Sequence, residues 1–393
     1  MIKPFFSILI PTFNRPEMVH FAIESVLLQN FQDFEVIISN NGALTSTREV
    51  VSKYLNDERV KYYESSQVLS MVEHWDKVGK LFVGKYFLIL TDRCLLKQDS
   101  LNFLYKTLSK NDQEIEVISW PWDLYLNELN ILLKSKSKSE YENEIIKIDS
   151  TEYLRNQAEN MGGVDYPMPR GMNSCIDGIF YQRLLRKYLT VFVPISPDVS
   201  FSYYCLMNTR SFWYVQRALM ISQGASISNG GQAYVSTTEK YTKSLNIENP
   251  IQILPCKVPF LVNAVAEDLL TTAIRCNRMD IYNAFCKTNY YVKLLSEWDA
   301  KFIAHKISFF KLFLFMRQIK TALYTESNII QYQVQLQRKQ MKSNKLLKFF
   351  RRIFVASTIG LLGGYSISFR QQRALRSGSA MKFNDAKEAA GFN

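Results

Sequence analysis

Residues 6–43 read FSILIPTFNRPEMVHFAIESVLLQNFQDFEVIISNNGA. A short apolar run, "FFSILI" (5–10), is closed by Pro11. The following "RPEMVHFAIESVLLQN" (15–30) places Val19, Ala22, Ile23, Val26 and Leu27 at the spacing of one helical face. A second apolar run, "FEVIIS" (34–39), stops at the turn signal Asn40-Asn41-Gly42. The alternation continues outward. Residues 45–56 have helical period, 59–65 are strand-like, 70–84 read as a helix stopped by Gly84, "KYFLIL" (85–90) is a strand and "SLNFLYKTLSKN" (100–111) a helix. Strands that are continuously apolar are buried on both faces. This predicts an α/β fold with a mostly parallel central sheet flanked by helices. Ligands of such sheets bind beyond the carboxyl ends of the strands. The polar clusters "PTFNR" (11–15), "SNNG" (39–42) and "TDR" (91–93) each stand at such an end.

The chain has 393 residues, 47% of them apolar, enough for more than one average domain and a sizeable core. The opening residues carry no signal-peptide pattern. The six cysteines (Cys94, Cys175, Cys205, Cys256, Cys276, Cys286) form no CxxC and no cluster with the three histidines. They read as reduced thiols of a cytoplasmic protein, not a disulfide framework or a zinc site. The net charge of +12 is local. Lys301–Arg376 holds 15 Lys and Arg against one acidic residue, Glu326, so the remainder of the chain is close to neutral.

The motifs of the first third, taken in order, resemble the opening of family 2 glycosyltransferases. The family pattern is a strand, P-T-[FY]-N-R, a helix with S-[VIL]-L-x-Q, a strand ending in an acidic or amide pair before Gly, and a later strand ending in D-x-D. Here these are Pro11-Thr12-Phe13-Asn14-Arg15, Ser25-Val26-Leu27-Leu28-Gln29, Asn40-Asn41-Gly42 and Asp92-Arg93-Cys94. The likeness covers residues 5–105 and, more weakly, the chain to about 230. It implies the GT-A (Rossmann-like) fold with an α-helical C-terminal extension. The implied divisions are 1–110 for the nucleotide-sugar-binding half, 111–240 for the acceptor-binding half, 241–300 for a helical packing segment, 301–376 for a basic amphipathic membrane-associating region and 377–393 for a disordered tail. A nucleotidyltransferase shares the architecture, but its first loop is usually Gly-rich and basic, and "PTFNRP" contains no Gly.

The resemblance further implies an inverting glycosyltransferase that moves a sugar from a nucleotide-diphosphate donor to a glycan or lipid-linked acceptor. Pro11, Thr12, Asn14, Arg15, Asn40, Asn41, Thr91, Asp92 and Arg93 are the expected nucleotide-sugar contacts. Asn40 both donates and accepts, which leaves the base open. D-x-D carboxylates of the family hold Mg²⁺ or Mn²⁺ on the diphosphate, so Asp92 is the expected metal ligand. Cys94 replaces the last carboxylate, and a neutral thiol is a poor ligand for a hard cation. Three readings follow: weak metal binding through Asp92 and the phosphates, Arg93 taking over part of the cation's role, or a catalytically weak or inactive sugar-nucleotide-binding protein.

Inverting members also need a carboxylate to take the acceptor's proton. Asp198 in "TVFVPISPDVSFSYYCLM" (190–207) is the expected base, although Ser196-Pro197-Asp198 is equally an ordinary helix start. Asp177 and then Asp165 are the alternatives. Arg170 and Asp177 are acceptor-side candidates. "GASISNGGQA" (224–233) reads as a loop with lid-like glycines. Trp120, Trp122 and Trp213 suit core packing better than sugar stacking, and His74 packs or caps.

At the C-terminal end a polybasic stretch leads into an uncharged run, residues 353–369, at the short limit for a membrane-spanning helix. Together with 306–320 it points to an anionic membrane surface on the inner, cytoplasmic face. No nucleic-acid motif accompanies the charge.

Overall fold

A computed structural model describes residues 3–42, 45–110, 114–127, 129–135, 145–161, 167–224, 228–245, 247–341 and 380–392. The chain forms two compact units. The first comprises residues 1–154, 164–225 and 374–393, and the second 155–163 and 226–373.

In the first unit β1 (Phe6–Thr12), α1 (Pro16–Leu27), β2 (Phe34–Asn40), α2 (Thr45–Ser52), β3 (Val60–Glu64), α3 (Met71–Val78) and β4 (Tyr86–Ile89) follow one another. They lay down four parallel strands in the order β3-β2-β1-β4. The chain continues through β5 (Cys94–Leu96), α4 (Ser100–Lys110), β6 (Val117–Ser119), β7 (Trp122–Leu126), β8 (Ile131–Leu133), β9 (Ile145–Asp149) and α5 (Ser150–Asn160). After α5, within which the boundary at 154/155 falls, come β10 (Ser174–Asp177), α6 (Gly178–Tyr188), α7 (Pro197–Asn208), β11 (Ser211–Val215) and β12 (Met220–Ser222).

The main sheet has eight strands, ordered β3-β2-β1-β4-β10-β6-β11-β9, with β10 and β9 antiparallel to their neighbours. Every residue of β1 and β2 is buried, because helices cover both faces. Phe6, Ile8 and Ile10 share a core with Val19, Ala22, Ile23 and Val26 of α1 and with Leu101, Leu104 and Leu108 of α4. On the other face Phe87 meets Tyr181 of α6, with ring centroids 4.8 Å apart. Pro11, expected to end the first strand, lies within it, opposite Ser39. Alternation along a parallel strand turns its nitrogen toward β4, whose pairing has already ended at Leu9↔Ile89, so the missing N–H costs no ladder bond.

Several expectations change. A second sheet, in which β13 (Ala380–Lys382) is the edge of the order β13-β8-β7-β12-β5, was not legible in the sequence. The helix expected over 70–84 stops at Val78, with Gly79 as its C-cap. The strand-like 190–195 is not a strand. The tail expected to be disordered contributes β13 (Ala380–Lys382), paired with β8, and a short helix at Ala386–Ala389. Ala386, Ala389, Ala390 and Phe392 pack with Leu95, Tyr125, Leu132 and Ile221, and apolar burial holds this polar-looking segment in place.

The second unit is helical: α8 (Asn229–Val235), α9 (Glu239–Ser244), α10 (Leu261–Arg275), α11 (Met279–Asn283), α12 (Lys287–Ala304), α13 (Phe309–Tyr324) and α14 (328–341). Two carboxylates, the buried Glu267 and the partly buried Glu297, organise it. Glu267 accepts from the backbone N–H groups of Gln252, Ile253 and Leu254. Glu297 accepts from Leu261 and Val262 at the start of α10 and pairs with the buried Lys301 at 3.0 Å. The run 353–369 and most of the polar stretch 134–144 lie outside the described residues.

Candidate active site

Parallel pairing sets Thr12 directly beside Asn40, and Asn41 N donates to Thr12 O at 3.0 Å. The two loops leaving β1 and β2 therefore start from adjacent points on the sheet's carboxyl edge. Asn14 takes left-handed backbone (φ 52), a conformation Asn tolerates. Gly42 of the second loop lies against it. A Cβ at Gly42 would stand 2.0 Å from Asn14 Oδ1 and 3.0 Å from Asn14 N, so only glycine permits the two loops to close together.

Asp92, just past β4, completes the crevice. Its Oδ2 accepts from Thr12 Oγ1 at 3.1 Å and Phe13 N at 3.4 Å, and its Oδ1 from Arg15 Nη1 at 3.1 Å. The Asp92 side chain is 3% exposed and that of Arg15 is 28% exposed. Thr12, Arg15 and Asp92, separated by about eighty positions, thus form one hydrogen-bonded group.

Asn40 anchors a second group. Its Oδ1 accepts from Gly42 N at 3.0 Å, and its Nδ2 donates to Tyr62 OH at 3.1 Å and Glu64 Oε1 at 3.2 Å. Arg48 pairs with Glu64 and holds that carboxyl below the usual range. Tyr62, Glu64 and Arg48 were missed from sequence. The available signal was Glu64 at the end of the third strand, which register sets beside Asn40. Asn41 turns away from the crevice: its amide donates to Leu69 O at 2.8 Å and accepts from Leu69 N at 2.9 Å, clamping the chain that enters α3.

Of the remaining members of "TDRC", Arg93 reaches the second sheet. Arg93 Nη1 donates to Ser222 Oγ at 2.6 Å and Gln223 O at 3.1 Å, tying the start of β5 to the end of β12. Thr91 Oγ1 donates to Cys94 Sγ at 3.1 Å. Cys94 is fully buried, and burial pushes its thiol up.

The 3-10 turn Gly171–Asn173 sits over the end of β4. A Cβ at Gly171 would lie 3.5 Å from Ile89 Cδ1. Arg170, just before the turn, stacks over Trp122 at 4.3 Å, and its Nη1 is 3.6 Å from Asp198 Oδ2. Asp198 is the second residue of α7, after Pro197.

Asp177 is not brought to this edge. Strand β10 runs antiparallel to β4, so its last residue pairs with Tyr86 at the start of β4, the opposite end of the sheet. There Asp177 caps α6 through Phe180 N at 2.8 Å, and burial raises its carboxyl. It therefore does not take the expected acceptor-side place. Asp165 lies outside the described residues. Trp120 is fully buried, and Trp213 is partly buried beneath Lys147. His74 accepts or donates at Ser39 Oγ, 2.9 Å away, and burial depresses it to about 4.

A divalent cation would find few protein ligands here. One carboxylate, Asp92, is available, and Arg15 already holds it. Cys94 is a thiol fully buried in the main core, packed with Leu96 and the α1 and α4 side chains. Among the described residues no group of three or more His, Cys, Asp and Glu converges. This donor set does not make a protein-built cage for Mg²⁺ or Mn²⁺.

Comparison with known proteins agrees with this geometry. Residues 7–161 match the model described as Glycosyl transferase family 2. This segment is a family 2 glycosyltransferase domain. Over 102 residues the chain is 35% identical to an uncharacterized glycosyltransferase, MG025, of Mycoplasma genitalium, covering 25% of this chain and 34% of that protein. Over 61 residues it is 38% identical to the GalNAc(5)-diNAcBac-PP-undecaprenol beta-1,3-glucosyltransferase of Campylobacter jejuni, covering 15% of this chain and 20% of that one. The chain thus spans about a third or less of the length of these curated relatives. Among solved structures, S. aureus TarS 1-349 in complex with UDP-GlcNAc superposes with a TM-score of 0.50 at 12% identity, over 98% of this chain and 93% of that one. The likeness is one of fold: the GT-A arrangement of a central sheet flanked by helices.

Proposed function

We propose that the chain transfers a sugar, with inversion, from a nucleoside-diphosphate donor to a glycan or lipid-linked acceptor. The observation that carries the reading is the convergence of Thr12, Arg15, Asn40 and Asp92 at the carboxyl edge of the sheet. Asn40, with Tyr62 and Glu64, would meet the nucleoside, and Arg15 would meet the diphosphate. A guanidinium can exchange the Asp92 carboxylate for a phosphate fork without leaving the crevice. Asp198 would take the acceptor hydroxyl's proton as that oxygen attacks the anomeric carbon and the diphosphate leaves with the bonding electrons. Arg170 would hold the Asp198 carboxylate in place. The basic region 301–376 would meet an anionic membrane surface. Among the described residues no helix is long and apolar enough to cross one.

A second reading, a weakly active or inactive sugar-nucleotide-binding protein, is favoured by one observation: Arg15 covers Asp92 while Cys94 is buried. Release of nucleoside diphosphate from UDP-, GDP- and dTDP-sugars, with and without Mn²⁺, separates the two. Transfer predicts release with at least one donor, retained within about tenfold after chelation, a change of ~1.4 kcal/mol in barrier. Asp198→Asn should lower turnover by about 10²–10⁴ while leaving donor affinity unchanged. Donor binding without release by any sugar nucleotide would support the second reading.

A further inference from the structure

The helical unit presents a cluster of exposed rings at the tip of one hairpin. Helix α12 closes at Ala304, His305 turns the chain through left-handed backbone (φ 51), and Ser308 caps α13 by accepting from Lys311 N. Around this turn Phe309 and Phe310 are 74% and 72% exposed and Phe313 is 57% exposed, beside the exposed Phe302 and Ile303. The rings form one patch. Phe302 meets Phe309 edge-on at 6.4 Å and stacks on Trp298 at 5.4 Å.

Packing does not require these residues to be apolar. The inward face of α13 is Leu312, Phe315, Ile319 and Ala322, and that stripe alone satisfies the helix. Exposed cations lie around the rings: Lys306 in the turn, then Arg317 and Lys320 one to three turns along α13. Lys301–Thr325 contains no Asp or Glu.

We propose that this hairpin tip, Phe302–Leu314, inserts its rings into the headgroup boundary of an anionic lipid bilayer while Lys306, Arg317 and Lys320 contact the headgroups. The proposal rests on the reading that the basic region meets a membrane surface, and it assigns the contact to a folded element distinct from the run 353–369. Three features select lipid as the partner. The patch is the end of a hairpin, a shape that enters a soft surface. The ring-bearing stretch Phe309–Leu314 extends about 9 Å along the helix axis, comparable to the roughly 5–10 Å depth of interfacial insertion. The cations are placed to meet negative headgroups. A second copy of the chain would instead bring like charges against each other.

Co-sedimentation of the full chain with phosphatidylcholine vesicles, with and without phosphatidylglycerol, tests this. Binding is expected to the anionic vesicles and to weaken with salt. The triple variant Phe309→Ser/Phe310→Ser/Phe313→Ser should reduce it by at least about tenfold, with an unchanged circular dichroism spectrum and Tm. Lys306→Glu/Lys320→Glu should reduce it at low salt only. Anionic-vesicle binding unaltered by the Phe substitutions overturns the tip assignment and leaves the membrane reading standing. Absence of binding by the unaltered chain overturns both. Self-association abolished by the Phe substitutions, without vesicle binding, assigns the patch to a second copy and overturns the proposal.

Discussion

The Arg15–Asp92 pair offers the most direct test of how the crevice is held together. With charge centres about 4 Å apart, an effective dielectric near 20 gives roughly 4 kcal/mol of gross attraction. Desolvation and the ordering of the arginine remove a large part, and the 28% exposure of Arg15 screens more. A net coupling of about 1–3 kcal/mol remains. Arg15→Ala leaves the nearly buried Asp92 with only Thr12 Oγ1 and Phe13 N as donors. It should therefore destabilise the fold by about 2 kcal/mol. Asp92→Asn removes the charge that needs Arg15, so Arg15→Ala should cost much less in that background. Urea denaturation of the wild type, both single variants and the double variant gives the coupling directly. The same four proteins, titrated with nucleoside diphosphate, report function: Arg15→Ala should weaken affinity by at least about tenfold, or 1.4 kcal/mol. A coupling below about 0.5 kcal/mol would mean the two side chains are additive neighbours, and the account of the crevice fails.

Other consequences are as specific. Gly42→Ala forces Asn14 out of its position and should cost about 1–3 kcal/mol of stability, with donor binding falling alongside; Asn14→Gly in the same chain should restore the stability, and if it does not, the close approach is not the cause. His74, depressed to about 4 by burial, binds its proton in the unfolded chain first. Stability should therefore fall as pH drops below about 6.5, by up to roughly 1.4 kcal/mol per pH unit from this group until about pH 4. Urea midpoints of His74→Gln should show a shallower slope across that window, and identical slopes would remove His74 as the source.

Much of the crevice is legible in the sequence. Strand ends are marked by where apolar runs stop, so the positions of Thr12, Asn40 and Asp92 followed from local pattern and the motif series. What pattern cannot give is which way a strand runs. Asp177 shows this: "SCID" looks the same parallel or antiparallel, and its direction is fixed only when it pairs with β4 and β6. The second sheet was hidden for a related reason. Its strands are three to five residues long and drawn from five separate stretches, too short for any period to register.

The sequence by itself determined the alternation of strand and helix, the family 2 motifs of residues 7–161 and the concentration of positive charge after Lys301, because each is written in contiguous residues. Tertiary structure alone decided the partners. It gave Arg15 to Asp92, Arg93 to Ser222, Arg170 to Asp198, and residues 380–392 to the second sheet. Charge and hydrogen-bond pairing depend on distances of a few ångströms between side chains far apart along the chain, and only the folded backbone sets those distances.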